Sequence, residues 1–194
     1  MSPRKGRILV VCALFLALSL PVQAAEPPAA AESPESVVQR YSAALKAGDY
    51  QKCAELMHPE ALEKFRNLLL PLLDVPPGQD KDDSALALFG GKDAAAVKKL
   101  SPTEFFASFM GGMTGKAPGL KEALGSANMT PIGSVPEGDV LHVVCRTSAA
   151  LQGASFSMME VVSVKRSAGN WRVLLSGEIE GMAELLRSSM SHKQ

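Results

Sequence analysis

The chain has little of what a nucleic-acid-binding protein uses. It contains one Trp and two Tyr in 194 residues, so it offers few aromatic rings on which bases could stack. Its 20 basic and 20 acidic residues balance, and without the three basic residues of segment 1–24 the balance is 17 to 20, a net charge of −3. We therefore expect no nucleic-acid partner, because binding one would require a concentrated basic face.

The sequence also lacks the motifs of common catalytic and cofactor sites. It has no Gly-x-Ser-x-Gly elbow, no glycine-rich phosphate loop and no dinucleotide-binding fingerprint. Its three histidines, His58, His142 and His192, do not lie at metal-ligand spacing from a second ligand. We expect neither a metal nor a cofactor.

Cysteine is scarce as well. Cys12 lies in an apolar N-terminal run, which leaves Cys53 and Cys145 for the folded domain. In an oxidising compartment these two could form a disulfide, and closing so long a loop would stabilise the fold by about 4–5 kcal/mol. The alternative is two buried free thiols, which behave as small apolar side chains.

The longest apolar run lies at the N-terminus, over residues 8–20, after three basic residues within the first seven. Val22-Gln23-Ala24 then forms a small-x-small cleavage signal. This pattern predicts a signal peptide over residues 1–24 and a periplasmic or secreted protein. A retained membrane anchor is the alternative, but the run is too short to span a bilayer comfortably, so we expect no integral membrane segment after cleavage. Residues 25–32, rich in Ala, Pro and Glu, predict a flexible leader.

Helix signals follow the leader. Ser33 is a good N-cap and Pro34 suits the first position of a helix that ends at Gly48. Asp49 can cap a second helix, and a third begins at Pro59.

Residues 74–125 differ in composition, because they carry half of the chain's 16 glycines. We interpret this segment as a Gly-rich, mostly irregular insertion that contains one helix. Ser101-Pro102-Thr103-Glu104 is a capping-box signature, and the apolar stripe that follows predicts a helix that ends at Gly111-Gly112 or shortly after.

From Asn128 onward the apolar period is that of strands, with turns at residues 136–139, 152–153 and 167–170. Residues 178–190 return to helical spacing. The order predicts an α+β fold in which N-terminal helices pack on a curved antiparallel sheet of three to four strands, with a short C-terminal helix.

Two segments carry a family resemblance. Residues 37–50, Val37 to Tyr50, have the pattern of a helix, a Gly-Asp break and a second helix. Residues 162–173 have the pattern of a hairpin with Gly169-Asn170-Trp171 at the turn. They resemble the opening helices and the last hairpin of the nuclear transport factor 2-like superfamily, which includes ketosteroid isomerase. The resemblance implies one domain over residues 33–194, a cone-shaped sheet and a pocket, but it does not imply an activity.

Strand register places one acid at the predicted pocket. If residues 140–149 and 154–165 pair across a two-residue turn at Leu151-Gln152, then Glu160 shares an apolar face with Cys145 and Met158. Alternatively, a bulge or a one-residue slip turns Glu160 to solvent, or Glu160 pairs with Arg146 or Arg172. The pocket candidates are Glu160, His58, Phe106, Met110, Met158 and Trp171.

Three function classes fit these patterns. The first is an exported, non-catalytic binding module with an apolar pocket for a small molecule, a lipid tail or a partner segment. The second is an acid-base enzyme, such as an isomerase or dehydratase, that uses Glu160 with help from His58. The third is an assembly protein that forms a homodimer through the outer sheet face, where His142, Val144 and Arg146 mix polar and apolar character.

Overall fold

The computed structural model describes residues 32–74, 85–90, 93–151 and 153–177, together with residues 179–181, 185 and 188. The predicted signal peptide and residues 25–31 of the leader lie outside this part of the chain. Described residues belong to a compact unit that spans residues 31–194.

The first three helices begin where the sequence predicts. They are α1 (Pro34–Ala47), α2 (Tyr50–Leu56) and α3 (Pro59–Leu69). Ser33 and Asp49 cap α1 and α2 by accepting hydrogen bonds from the backbone N–H groups three residues on. Gly48 ends α1 with a φ of 70°, a left-handed conformation that costs glycine little.

Residues 70–126 are more helical than the sequence predicts. Two 3-10 turns (Leu70–Asp74 and Ala85–Phe89) are followed by α4 (Ala94–Lys98), α5 (Pro102–Lys116) and α6 (Pro118–Ser126). The capping box at the start of α5 is confirmed, because the Ser101 and Glu104 side chains each bond the other's backbone N–H.

The sequence predicts that α5 ends at Gly111-Gly112 or shortly after, and the helix continues through the two glycines to Lys116. The reason for a glycine there is tertiary. A Cβ on Gly112 would lie 2.0 Å from the carbonyl oxygen of Leu88, so only glycine lets the turn at residues 85–89 pack against the helix. The Gly-Gly pair, which on its own favours a helix end, here allows close packing between α5 and the turn at residues 85–89.

Four antiparallel strands form an open sheet in the order β1-β2-β3-β4. They are β1 (Asn128–Glu137), β2 (Val140–Leu151), β3 (Ala154–Ser167) and β4 (Asn170–Val173). Described residues at 177 and 179–181 are helical and begin a short C-terminal helix. The predicted α+β fold class is confirmed.

The helices form the core with one face of the sheet. Helices α1 and α6 contact the sheet, while α2 and α3 pack against α5. Five phenylalanines interlock at the centre of the helical layer: Phe65, Phe89, Phe105, Phe106 and Phe109, all buried. Across from the helices, the sheet contributes Val143, Cys145 and Val164, which have no exposed surface.

Candidate functional site

The inner face of the sheet, meaning the face towards the helices, changes in character along β2 and β3. Near the middle of the strands this face is fully covered. Towards the β2–β3 turn it is open, because Phe156 is 44% and Met158 47% exposed on the same face. Half-exposed aromatic and thioether side chains on the inner side of a sheet provide an adaptable apolar surface.

The helix packing explains why β3 is uncovered there. Helix α6 is fastened to the end of β2, since the Ser126 hydroxyl accepts a hydrogen bond from the backbone N–H of Ala150 at 2.8 Å and bonds the Ala150 carbonyl oxygen at 3.0 Å. The backbone of Gly119 also approaches Leu151 closely. Helix α6 therefore lies over β2 and leaves the neighbouring stretch of β3 exposed.

Two polar atoms lie buried beside this open surface. Oε1 of Glu160 and Oγ1 of Thr147 are inaccessible to solvent and have no hydrogen-bond partner among the described residues. Leaving such an atom unpaired costs about 1–3 kcal/mol, so buried polar groups without partners are uncommon. We call Thr147, Phe156, Met158 and Glu160 the distal inner face.

Strand register brings these four side chains together. Glu160 lies opposite Cys145, Thr147 opposite Met158, and Phe156 opposite Ala149. Thr147 and Glu160 are diagonal neighbours on one face, a relation that corresponds to about 7–8 Å between Cα atoms. The face predicted for Glu160 from the sequence is therefore observed, as is its position among apolar side chains.

Glu160 also affects the electrostatics of the adjoining core. Burial, with a smaller contribution from the Glu160 carboxylate, raises the pKa of the Cys145 thiol from 9.0 to about 11. Burial likewise raises the pKa of the Tyr41 phenol, with Cys53 and Glu160 adding to the shift. Both groups stay protonated at neutral pH, so neither Cys145 nor Tyr41 acts there as a nucleophile.

His58 lies elsewhere, in a structural position. Its Nδ1 accepts a hydrogen bond from the backbone N–H of Glu60 at 3.3 Å and so caps α3, while its own backbone N–H donates to the carbonyl oxygen of Val173 at 2.8 Å. Val173 lies opposite Val164, four residues along β3 from Glu160. Val164 and Glu160 are therefore about 13 Å apart along β3, so the structure does not bring His58 and Glu160 together.

The remaining pocket candidates are also spread over the molecule. Phe106 lies in the core, with its ring centroid 5.2 Å from that of Phe65. Met110 is half-buried against the core, and Trp171 lies at the opposite end of β3 under the Arg166 guanidinium, 4.6 Å from the ring centroid. Of the six candidates, only Glu160 and Met158 lie on the distal inner face.

Cys53 and Cys145 are buried free thiols, so the structure shows the second of the two states considered from the sequence and gives the disulfide no support. Each sulfur lies near a backbone carbonyl oxygen: Sγ of Cys53 is 4.0 Å from that of Tyr41, and Sγ of Cys145 is 3.8 Å from that of Val143. Burial raises the pKa of the Cys53 thiol from 9.0 to about 12, with Asp49 contributing.

Two surface cavities lie away from the distal inner face. One of about 500 Å³ lies between the turn at residues 85–89 and α5, where Gly111, Gly112 and Gly115 line it. The other, of about 280 Å³, lies at the ends of the two hairpins and is lined in part by Lys165 and Trp171. Neither is lined by Glu160 or Met158, so the predicted pocket is an open surface in this structure rather than one of these cavities.

Within the described residues, no group of three or more His, Cys, Asp or Glu side chains is placed to hold a metal ion. None of the described helices is both long and apolar enough to cross a membrane.

Sequence reasoning missed Thr147 as a site residue. The signal was available, since Thr147 follows Val143 and Cys145 at intervals of two on β2 and must share their face. What the sequence does not show is that none of the described neighbours bonds its hydroxyl.

Comparison with known proteins found no match: no protein-family model, curated protein or solved structure corresponds to this chain.

Proposed function

We propose that this protein is a non-catalytic binding module that holds an amphiphilic small molecule against the distal inner face. The observation that carries the proposal is the pair of buried oxygens, on Thr147 and Glu160, that have no partner in the described chain and adjoin two half-exposed apolar side chains. A ligand with a hydrogen-bond donor at one end and an apolar body would complement both parts.

The polar end of the ligand follows from the chemistry of the two oxygens. A carboxylate oxygen accepts hydrogen bonds, and a threonine hydroxyl can accept as well as donate. Both oxygens are buried here, so binding requires the two side chains to turn towards the open surface, where an ammonium or amine group would satisfy both acceptors. A hydrogen bond to a charged group contributes about 1.5–3 kcal/mol. An anionic head group would face Glu160 unfavourably.

The apolar end would cover Phe156 and Met158. Full burial of such side chains stabilises by about 1.5–3 kcal/mol each, and about half of each surface remains to be covered, so the gain is about 1 kcal/mol per side chain. The contact free energies of the polar and apolar ends together are of the size expected for a small ligand bound at one end of a sheet.

We also propose a compartment and a family for this protein. The N-terminal pattern supports a periplasmic or secreted protein. Helices followed by an antiparallel sheet support membership of the nuclear transport factor 2-like superfamily. No catalytic step is proposed, because Glu160 and His58 are separated along β3 and the nearby thiol and phenol remain protonated at neutral pH.

The test uses a fluorescent amine, N-phenyl-1-naphthylamine, displaced by dodecylamine or by dodecanoate. We expect the amine to displace the dye at much lower concentration than the carboxylate, and we expect Glu160→Gln to remove most of that preference. Equal displacement by the two head groups would contradict the proposed role of Glu160.

Two adjacent methionines provide the matched control for the apolar part. Met158 lies on the inner face and Met159 on the outer face of β3, and their exposures are similar, 47% and 52%. Met158→Ser should weaken dye binding several-fold, whereas Met159→Ser should leave it unchanged. Equal effects of the two changes would overturn the assignment of the site to the inner face.

A further inference from the structure

The two edges of the sheet are built differently. Edge strand β1 contains Pro131 and Pro136, and its register shifts between Pro131 and Gly133. Proline and bulges at an edge block the addition of another strand. On the opposite side of the sheet, β4 pairs only with Val164–Ser167. In the described part of the chain, residues 154–162 of β3 therefore have no strand on the side that faces away from β2.

The backbone groups on this open edge can be assigned. The carbonyl oxygen of Ser163 points away from β2, because it accepts a hydrogen bond from the backbone N–H of Leu174 at 2.8 Å. The β2–β3 ladder has no register shift, so backbone direction alternates regularly along β3. The N–H and C=O groups that point outward therefore belong to Ser155, Ser157, Met159 and Val161.

Large apolar side chains are exposed on both faces of this edge. Phe156 and Met158 project from the inner face, while Met159 and Val161, 52% and 54% exposed, project from the outer face. Glu160 is the only ionisable residue between Ala154 and Val162. Long exposed edges in monomeric proteins are usually protected from pairing by charge, proline or a bulge. This segment has no proline, no bulge and a single acid.

We propose that residues 154–162 of β3 pair antiparallel with the same residues of a second copy of this chain. The two-fold axis would run perpendicular to the sheet and would join two four-stranded sheets into one of eight strands. The four outward-pointing residues of each copy would supply about eight main-chain hydrogen bonds in all.

A second copy fits this edge better than an unrelated strand for a geometric reason. A perpendicular two-fold axis keeps each face on its own side, so inner-face side chains of one copy meet inner-face side chains of the other, and outer-face side chains meet outer-face ones. Centring the pairing on Met158 sets Met158 opposite its own equivalent and Glu160 opposite Phe156, so the two carboxylates do not face each other.

The test compares two substitutions at Ser157, whose backbone N–H points outward and whose side chain is exposed. Ser157→Pro removes that N–H without touching the β2 ladder, and proline is tolerated on the solvent side of an edge strand. Ser157→Ala keeps the N–H. By sedimentation across a concentration series, the wild-type mature chain and Ser157→Ala should dimerise, and Ser157→Pro should self-associate at least about 30-fold more weakly.

A second variant and a fold control make the result decisive. Met159→Lys places a charge on the same edge and should also favour the monomer. Far-UV circular dichroism and the melting temperature of the monomeric state should match wild type for both variants. A wild-type chain that stays monomeric at all concentrations, or a dimer that survives both substitutions, would overturn the proposal, the latter in favour of contact through a surface that includes neither Ser157 nor Met159.

This inference stands apart from ligand binding. N-phenyl-1-naphthylamine binding to monomeric Ser157→Pro should remain, since the distal inner face is complete within one copy.

Discussion

The two ends of the β2–β3 hairpin share an alternating apolar pattern but differ in what covers them. Towards β4, Val143 and Val164 are fully buried, whereas near the turn Phe156 and Met158 are about half exposed. The difference arises from the reach of the helices: α1 contacts β1, β2 and β4, and α6 contacts β2. One alternating strand can thus serve as core at one end and as a binding surface at the other.

The largest expected difference is in stability, between the covered core and the open end of the hairpin. Phe106→Ala would empty a fully buried site among the interlocking aromatic rings of the helical layer and should lower the free energy of unfolding by about 3–5 kcal/mol. The same change at half-exposed Phe156 should cost less than about 1.5 kcal/mol, because half of that side chain already contacts water. Urea unfolding monitored by far-UV circular dichroism measures both, and equal losses would contradict the contrast between covered and open surfaces.

Alkaline pH should weaken the covered end. The pKa of Cys145 is raised from 9.0 to about 11 in the folded state, so the unfolded chain loses this proton first as the pH rises. The stabilisation is complete below pH 9 and is lost as the pH rises through 11, at about 1.4 kcal/mol per pH unit for this thiol.

Comparison with Cys145→Ala isolates that contribution, because the other titrating groups are common to both proteins. Between pH 9 and pH 11 the wild type should lose about 2–3 kcal/mol more of its unfolding free energy than the variant. Parallel stability curves over this range would show that the thiol ionises as easily in the folded as in the unfolded chain.

A smaller effect of opposite sign is expected at the open end. Glu160→Met replaces a carboxyl group that has an unpaired buried oxygen by an apolar side chain of similar length, and should raise the free energy of unfolding by about 1 kcal/mol. The same variant should lose its preference for dodecylamine over dodecanoate. A destabilised Glu160→Met would indicate that the carboxylate is satisfied within the fold, and the binding proposal would lose its principal support.

Much of the fold follows from local sequence signals. Caps at Ser33, Asp49 and Ser101 are read directly from residue types that bond nearby N–H groups. The face of Glu160 was predictable for a different reason. Strands β2 and β3 pair as far as Leu151 and Ala154, so the turn begins one residue later than predicted, and this shifts the register by two residues and leaves the face unchanged.

What the sequence could not show depends on tertiary distances. Helix α6 begins at Pro118 and contains Gly119 and Gly125, which favour a loop on propensity alone, yet its packing on β2 stabilises it. The open edge of β3 depends on β4 ending at Val173. The isolated position of His58, which caps α3, likewise emerges only from the path of the chain.

The two buried thiols, Cys53 and Cys145, can report local unfolding of the domain. A cysteine reagent reaches Cys53 only when the helical layer lifts, and reaches Cys145 only when the inner face of the sheet is uncovered. Their relative rates of alkylation under native conditions would therefore report, layer by layer, which part of the domain separates first, without any engineered probe.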